Sequence, residues 1–286
     1  MKIYTALALS LAILSTSVTS AEQTSTLAQI EKTGKIRIGY RESEPPMSFL
    51  DKDGKPAGYS IDLCVRIVTG VKATLKKPDI SVEYVAVDSA DRFTALSENK
   101  IDILCGSTTK TLSRGELVDF TQLTFVTGAS LLSLASNPVD NISSLQGKKV
   151  AVVKDTTTIV ALKNALKDAL TEAKIVAVDS AAEGLKALHE DQVDAFSSDQ
   201  VVLIGHVLAS EDPKVFAISN QLFSFEPFAL AIRRNDADFR LVADRVLSHL
   251  YRSKQIGPIY GQWFGRFSNE MPTALQAVYA INATPE

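Results

Sequence analysis

The chain has 286 residues, 45% hydrophobic and 22% charged, with a formal net charge of −3. Those values fit an ordinary globular protein of roughly two domains at about 150 residues each, and they exclude disorder, collagen and coiled coil. The acidic balance argues against a nucleic-acid partner. Three histidines and two cysteines cannot build a Cys/His zinc site from clustered pairs, so no metal and no cofactor is expected.

Lys2, an apolar run over residues 6–14 and a small polar stretch over 15–21 have the make-up of a secretory signal peptide. The apolar run is shorter than the about 20 residues that a membrane-spanning helix needs. Residues 1–21 are therefore read as a leader, cleaved after Ser20 or Ala21, and the protein as exported to an oxidising compartment. Beyond the leader, residues 36–40 predict a strand and 60–75 an amphipathic helix, with Ile61, Val65, Val68 and Lys72 marking its turns. Strand 80–87, helix 90–98 and strand 101–105 follow. A second unit has strand 149–153, helix 157–170, strand 175–178, helix 181–190, strand 195–198 and helix 201–208. Helix 236–251 and an aromatic-rich element over 256–267 close the pattern. Strands alternating with helices imply βαβ units and parallel sheets. Cys64 falls on a helix and Cys105 at the end of a strand, where one disulfide and two buried thiols both fit.

Two β-rich runs, 123–134 and 223–233, flank the second unit. If both are crossovers, the first lobe is discontinuous (22–124 plus 226–267), the second (125–225) is inserted into it, and 268–286 is a C-terminal tail. Two Rossmann-like lobes joined by two crossover strands make a hinge and a cleft, with ligand at the carboxyl ends of the strands. The alternative is two independent domains on a linker, but no Pro/Gly/Ser-rich segment occurs between 120 and 235.

Polar clusters stand where cleft residues belong. Arg41-Glu42-Ser43 follows the first strand, Ser89 to Arg92 the second, and Gly106-Ser107-Thr108-Thr109 the third, with Arg114 five residues on. Asp155-Thr156-Thr157-Thr158 opens a helix and Asp199 ends a strand. Singly, hydroxyls and aspartates before helices are caps and an arginine is a surface charge. Together, three planar guanidiniums suit carboxylates, the helix start at Thr156–Thr158 favours an anion, and Asp199 can hold an ammonium. That set describes a dicarboxylic amino acid.

The segments GKIRIGYRESEPPMSFLDKDGKPAGYSIDLC, SADRFTALSENKIDILCGSTTKTLSRGELVDFT and QIGPIYGQWFGRF resemble the periplasmic polar-amino-acid-binding proteins of ABC transporters, most of all their glutamate/aspartate-binding branch. The resemblance spans residues 27–267 and implies the type II periplasmic-binding-protein fold. It further implies a monomer without catalytic residues, whose closed form meets a membrane permease. In that family the position of Arg114 grips the ligand α-carboxylate, helped by Ser107 and Thr109, and the position of Asp199 takes the α-ammonium. Arg41, Arg92, Thr156 and Thr158 match positions that address ligand carboxylates. The branch has a histidine before the helix that starts near Ala181, and this chain has Ala181 there. A neutral ligand such as glutamine therefore stays open beside glutamate and aspartate.

Two other classes are weighed. A cyclic-acid dehydratase on the same scaffold would need a general acid or base, for which Glu42, Glu226 and Asp155 are candidates, but no GxSxG, HExxH, GxGxxG or P-loop sequence occurs. A receptor sensory module would need a transmembrane or signalling extension.

Overall fold

The computed structural model describes residues 25–267 and 270–286; the expected leader, 1–21, lies outside them. The chain opens with α1 (Thr26–Thr33), β1 (Lys35–Tyr40) and a three-stranded sheet of short strands, β2 (Ser43–Glu44), β3 (Ser48–Leu50) and β4 (Pro56–Ala57). Then come α2 (Tyr59–Leu75), β5 (Ser81–Ala86), α3 (Arg92–Ser97), β6 (Ile103–Cys105) and β7 (Val118–Thr127). The middle of the chain forms β8 (Ala129–Leu134), β9 (Lys149–Val153), α4 (Thr157–Asp168), β10 (Lys174–Val178), α5 (Ala181–His189), β11 (Ala195–Asp199), α6 (Gln200–Ala209) and β12 (Phe216–Ile218). β13 (Glu226–Arg233), α7 (Ala237–Arg252), α8 (Ile256–Phe264) and α9 (Thr273–Ile281) end it.

Two five-stranded sheets share one plan, β5-β1-β6-β13-β7 and β10-β9-β11-β8-β12. In each, three parallel strands are linked by helices, with the earliest strand in the middle. An antiparallel pair extends each sheet beyond the third strand. The chain changes sheet at Gly128, between β7 and β8, and returns over 219–225, between β12 and β13. The second sheet is therefore inserted within the first. The β-rich run 123–134 proves to be two strands of different sheets. The first change comes later than the expected boundary at 124/125, because Phe125, Val126 and Thr127 still pair with β13.

Burial follows a helical period, but two of the four expected turn markers are misplaced: Ile61 and Val68 are buried, whereas Val65 is exposed and Lys72 only half-buried, and Cys64 and Val71 take their places on the inner face. In α2 the residues Ile61, Cys64, Val68 and Val71, three or four apart, all face the core. They meet Ile36, Ile38, Leu230, Phe239 and Phe264 in the larger core. Each such side chain contributes about 1.5–3 kcal/mol on full burial. Phe196, Leu132 and Leu203 pack one face of the second sheet, and Val150, Val152 and Leu162 the other. The expected C-terminal tail, 268–286, is described over residues 270–286. It contains α9, whose Leu275 and Tyr279, one helical turn apart, are buried in the first core. The Tyr279 hydroxyl lies 2.7 Å from that of Tyr59 and donates to the Thr124 carbonyl.

Cys64 and Cys105 form a disulfide that ties α2 to the last residue of β6. The next residue, Gly106, accepts a hydrogen bond from the Ser60 hydroxyl through its carbonyl. Helix and bridge thus hold the Gly106–Thr109 turn from below. The lobes meet closely beside the hinge. A Cβ at Gly205 of α6 would collide with the backbone carbonyl of Pro45, so only glycine lets α6 approach that turn. Val201 and Val202 of α6 join the first lobe's core. No described helix is long and apolar enough to cross a membrane.

Candidate functional site: a charged cavity between the lobes

Residues that follow β1, β5, β6, β9 and β10, together with the last residues of β11, line one cavity. This is where strand carboxyl ends of open α/β sheets present their loops. Arg41, Arg92, Ser107, Thr109, Arg114, Thr156, Thr158 and Asp199 all line it, as does Ala181. The eight candidates come from separate loops of both lobes, so the fold alone brings them together.

The three arginines differ. Arg41 is already partnered: its Nη2 lies 3.1 Å from Glu44 Oε1 and donates to the Ser89 hydroxyl at 2.9 Å. Arg92 is 3% exposed and has only backbone partners. Nη1 donates to the Ser89 carbonyl, Nη2 to the Asp155 carbonyl at 3.0 Å, and Nε donates to nothing. Burial first, then the positive neighbours Arg114 and Arg41, pull its pKa down to about 9. At neutral pH it remains a cation. Arg114 donates to the Thr109 carbonyl at 2.8 Å; burial lowers its pKa, opposed by Glu226 and Asp199. No carboxylate of the described residues forms an ion pair with Arg92 or Arg114. The Phe93 ring lies 4.6 Å from the Arg92 guanidinium carbon and 5.5 Å from that of Arg114, a cation–π platform for both.

The second lobe supplies the opposite features. Asp199 precedes α6 in the N-cap position yet makes no capping bond, and its buried Oδ1 has no partner. Burial, then Glu226 and Glu44, push its pKa well above the usual carboxylate range, with Arg114 opposing. Thr156 is the N-cap of α4 but does not cap either; its hydroxyl donates to the Val153 carbonyl at 2.7 Å. The first N–H groups of α4 therefore lack a side-chain cap at the cavity wall.

Several groups escaped the sequence reading of the site. Glu44 accepts from the Ser107 hydroxyl at 2.6 Å, besides pairing with Arg41. Glu226, weighed as an acid or base, is 2% exposed and held by three hydroxyls. Thr109 donates at 2.6 Å, Thr157 at 2.7 Å and Ser224 at 2.6 Å. It clasps Thr109 of one lobe to Thr157 of the other at the returning crossover. Glu42 and Asp155, the other two candidate acids, are exposed. No sequence signal marked the Arg41–Glu44 pair, since i,i+3 neighbours face each other only on a helix, and here Arg41 lies between β1 and β2 and Glu44 in β2. Nothing in the sequence signalled the Glu226 clasp. Among the described residues no group of His, Cys, Asp and Glu is arranged to hold a metal ion.

The model of the bacterial extracellular solute-binding proteins, family 3, matches residues 36–266. The chain belongs to that family. This family 3 protein is 33% identical over 254 residues to the L-glutamate/L-aspartate-binding protein of Pseudomonas aeruginosa, covering 88% of this chain and 84% of that one. It is 30% identical over 240 residues to the glutamate/aspartate import solute-binding protein of Salmonella typhimurium, covering 84% and 80%. Among solved structures it is similar to an ancestral arginine-binding protein bound to arginine. There the TM-score is 0.72 and the identity 28%, with 81% of this chain and 98% of the other covered. The family 3 protein has the two-lobed type II periplasmic-binding fold, with two crossovers between Rossmann-like lobes.

Proposed function

We propose that the protein is the periplasmic solute-binding component of an amino-acid ABC importer and binds glutamate or aspartate as a monomer by closing its lobes. One observation carries the reading. The cavity's uncommitted charges are two guanidiniums, Arg92 and Arg114, and one carboxylate, Asp199. A dicarboxylic amino acid offers two carboxylates and one ammonium. Arg114 takes the α-carboxylate, Asp199 the ammonium and Arg92 the side-chain carboxylate, with Thr156, Thr158 and the N–H groups of α4 lining the same space. Ser107 and Thr109 serve the wall through Glu44 and Glu226. A buried guanidinium or carboxylate without a counter-charge is costly, so a ligand that supplies all three counter-charges stabilises the closed form over the open one. That difference is what drives closure. The names of the Pseudomonas and Salmonella relatives support an acidic ligand, and the closed form is the state offered to the permease.

The test is calorimetry of the chain without residues 1–21, unfolded and refolded to shed retained ligand, against glutamate, aspartate, glutamine, asparagine, arginine and succinate. Strong binding of glutamate or aspartate, with the amides much weaker, is expected. Binding of glutamine or arginine instead would keep a binding protein and refute the charge match. No binding across the panel, or turnover of a cyclic acid, would favour the enzyme.

A further inference from the structure

We infer that Glu44 is a specificity-determining residue: by neutralising Arg41 it fixes at two the number of guanidiniums open to ligand, and so sets how strongly the site prefers an acidic side chain over its amide. This rests on the reading above and deepens it. Both Glu44 oxygens are committed to protein, one to Arg41 at 3.1 Å and the other to the Ser107 hydroxyl at 2.6 Å. Asp199, by contrast, keeps a buried oxygen without a partner. Glu44 therefore acts on the wall and Asp199 on the ammonium.

Arg41 is 7% exposed, and without Glu44 it would keep no ion-pair partner, only the electrostatic influence of Asp88. A dicarboxylic amino acid has no third anionic group to give it. With Glu44 in place, Arg41 and Glu44 form a neutral pair whose role is to fill and shape the wall. The turn that carries the pair is also tied to its neighbours by backbone contacts. β2, which ends at Glu44, pairs with β3, and the backbone amide of Arg41 donates to the buried Ser48 hydroxyl at 2.9 Å. Charge cancellation at this point keeps the site from becoming a general anion trap, which is selectivity by an element that does not touch the ligand.

The experiment compares Glu44→Gln and the double variant Arg41→Met/Glu44→Gln with wild type, by calorimetry with glutamate and glutamine. Glu44→Gln keeps the shape and an acceptor for Ser107 but frees the Arg41 charge. The ratio of glutamate to glutamine affinity is expected to rise by about tenfold or more, since an uncompensated charge acts strongly at short range in a closed site. The double variant removes both charges and is expected to return within about threefold of the wild-type ratio, as two changes that act as one pair require. Equal weakening of both ligands by Glu44→Gln would mean that Glu44 holds the ammonium, and would overturn the inference. Loss of the glutamate preference in the double variant would mean that Arg41 itself grips the side-chain carboxylate, and would overturn it too. If Glu44→Gln unfolds, the double variant, which buries no unpaired charge, decides alone. A wild type that binds neither glutamate nor aspartate refutes the proposed function; a wild type that binds them beside either overturning pattern refutes only the role of Glu44.

Discussion

The first lobe brings three arginines to the cleft, each with its own support: Glu44 beside Arg41, the Phe93 ring beside Arg92 and Arg114, and the Cys64–Cys105 bridge beneath the Gly106–Thr109 turn. The second lobe brings Asp199 without a partner and a helix start whose N-cap threonine does not cap. Cations are concentrated on one side and the free carboxylate on the other. A zwitterion with a second carboxylate can satisfy both sides only when they are brought together, so each lobe holds half of the recognition.

The largest expected effect lies on the first side. Arg114→Ala should weaken every amino acid by about two to four orders of magnitude, because removing one partner of a buried charge contact costs about 3–5 kcal/mol. If neutral ligands escape that loss in calorimetry, Arg114 does not grip the α-carboxylate. The support beneath it comes next. Cys64 and Cys105 are 41 residues apart, and replacing both by serine should lower unfolding stability by about 3–4 kcal/mol, the chain-entropy value for a loop of that length. Chemical denaturation checks this, and an unchanged midpoint would mean that the bridge supports nothing.

The second side gives smaller, more selective effects. Asp199→Asn should weaken amino acids by about ten- to hundredfold, the loss of a charged hydrogen bond of about 1.5–3 kcal/mol, and leave succinate almost unchanged. The sign of its pH dependence follows from the raised pKa. Falling pH protonates Asp199 sooner than an ordinary carboxyl, so amino-acid affinity should decline from a pH above the usual carboxylate range. That decline should vanish in Asp199→Asn. The contact between the sides gives the smallest effect. His206 of α6 is buried and hydrogen-bonded to the Ser43 backbone, and burial lowers its pKa to about 4. Between pH 6.5 and about 4 the unfolded chain takes up this proton first, so stability is lost as pH falls through that window. The loss should be about 1 kcal/mol between pH 7 and 5.5, and His206→Gln should remove it in urea titrations at both pH values.

Much of this organisation could be read from residues. The helical character of α2 and the short buried runs of β1, β6, β9 and β11 are local signals, and positions at or after strand ends pointed to most of the residues that line the cavity. Three kinds of feature were not legible. Strands of two or three residues, β2 to β4, are too short to show a period. α9 resembled a tail because only Leu275 and Tyr279 carry its buried face. The division of labour among the arginines was hidden, because whether a guanidinium is free depends on tertiary partners. Arg41 and Arg92 looked alike in sequence, and only the fold sets Glu44 beside one and backbone carbonyls beside the other.

The match between the cavity's free charges and the ligand's is tested most directly at Arg92. Calorimetry of Arg92→Met with glutamate and glutamine should show a loss of about a hundredfold for glutamate, as expected for an uncompensated buried carboxylate, with glutamine little changed. Equal affinity for glutamate in the variant and the wild type would show that Arg92 meets no ligand carboxylate, and would contradict the account.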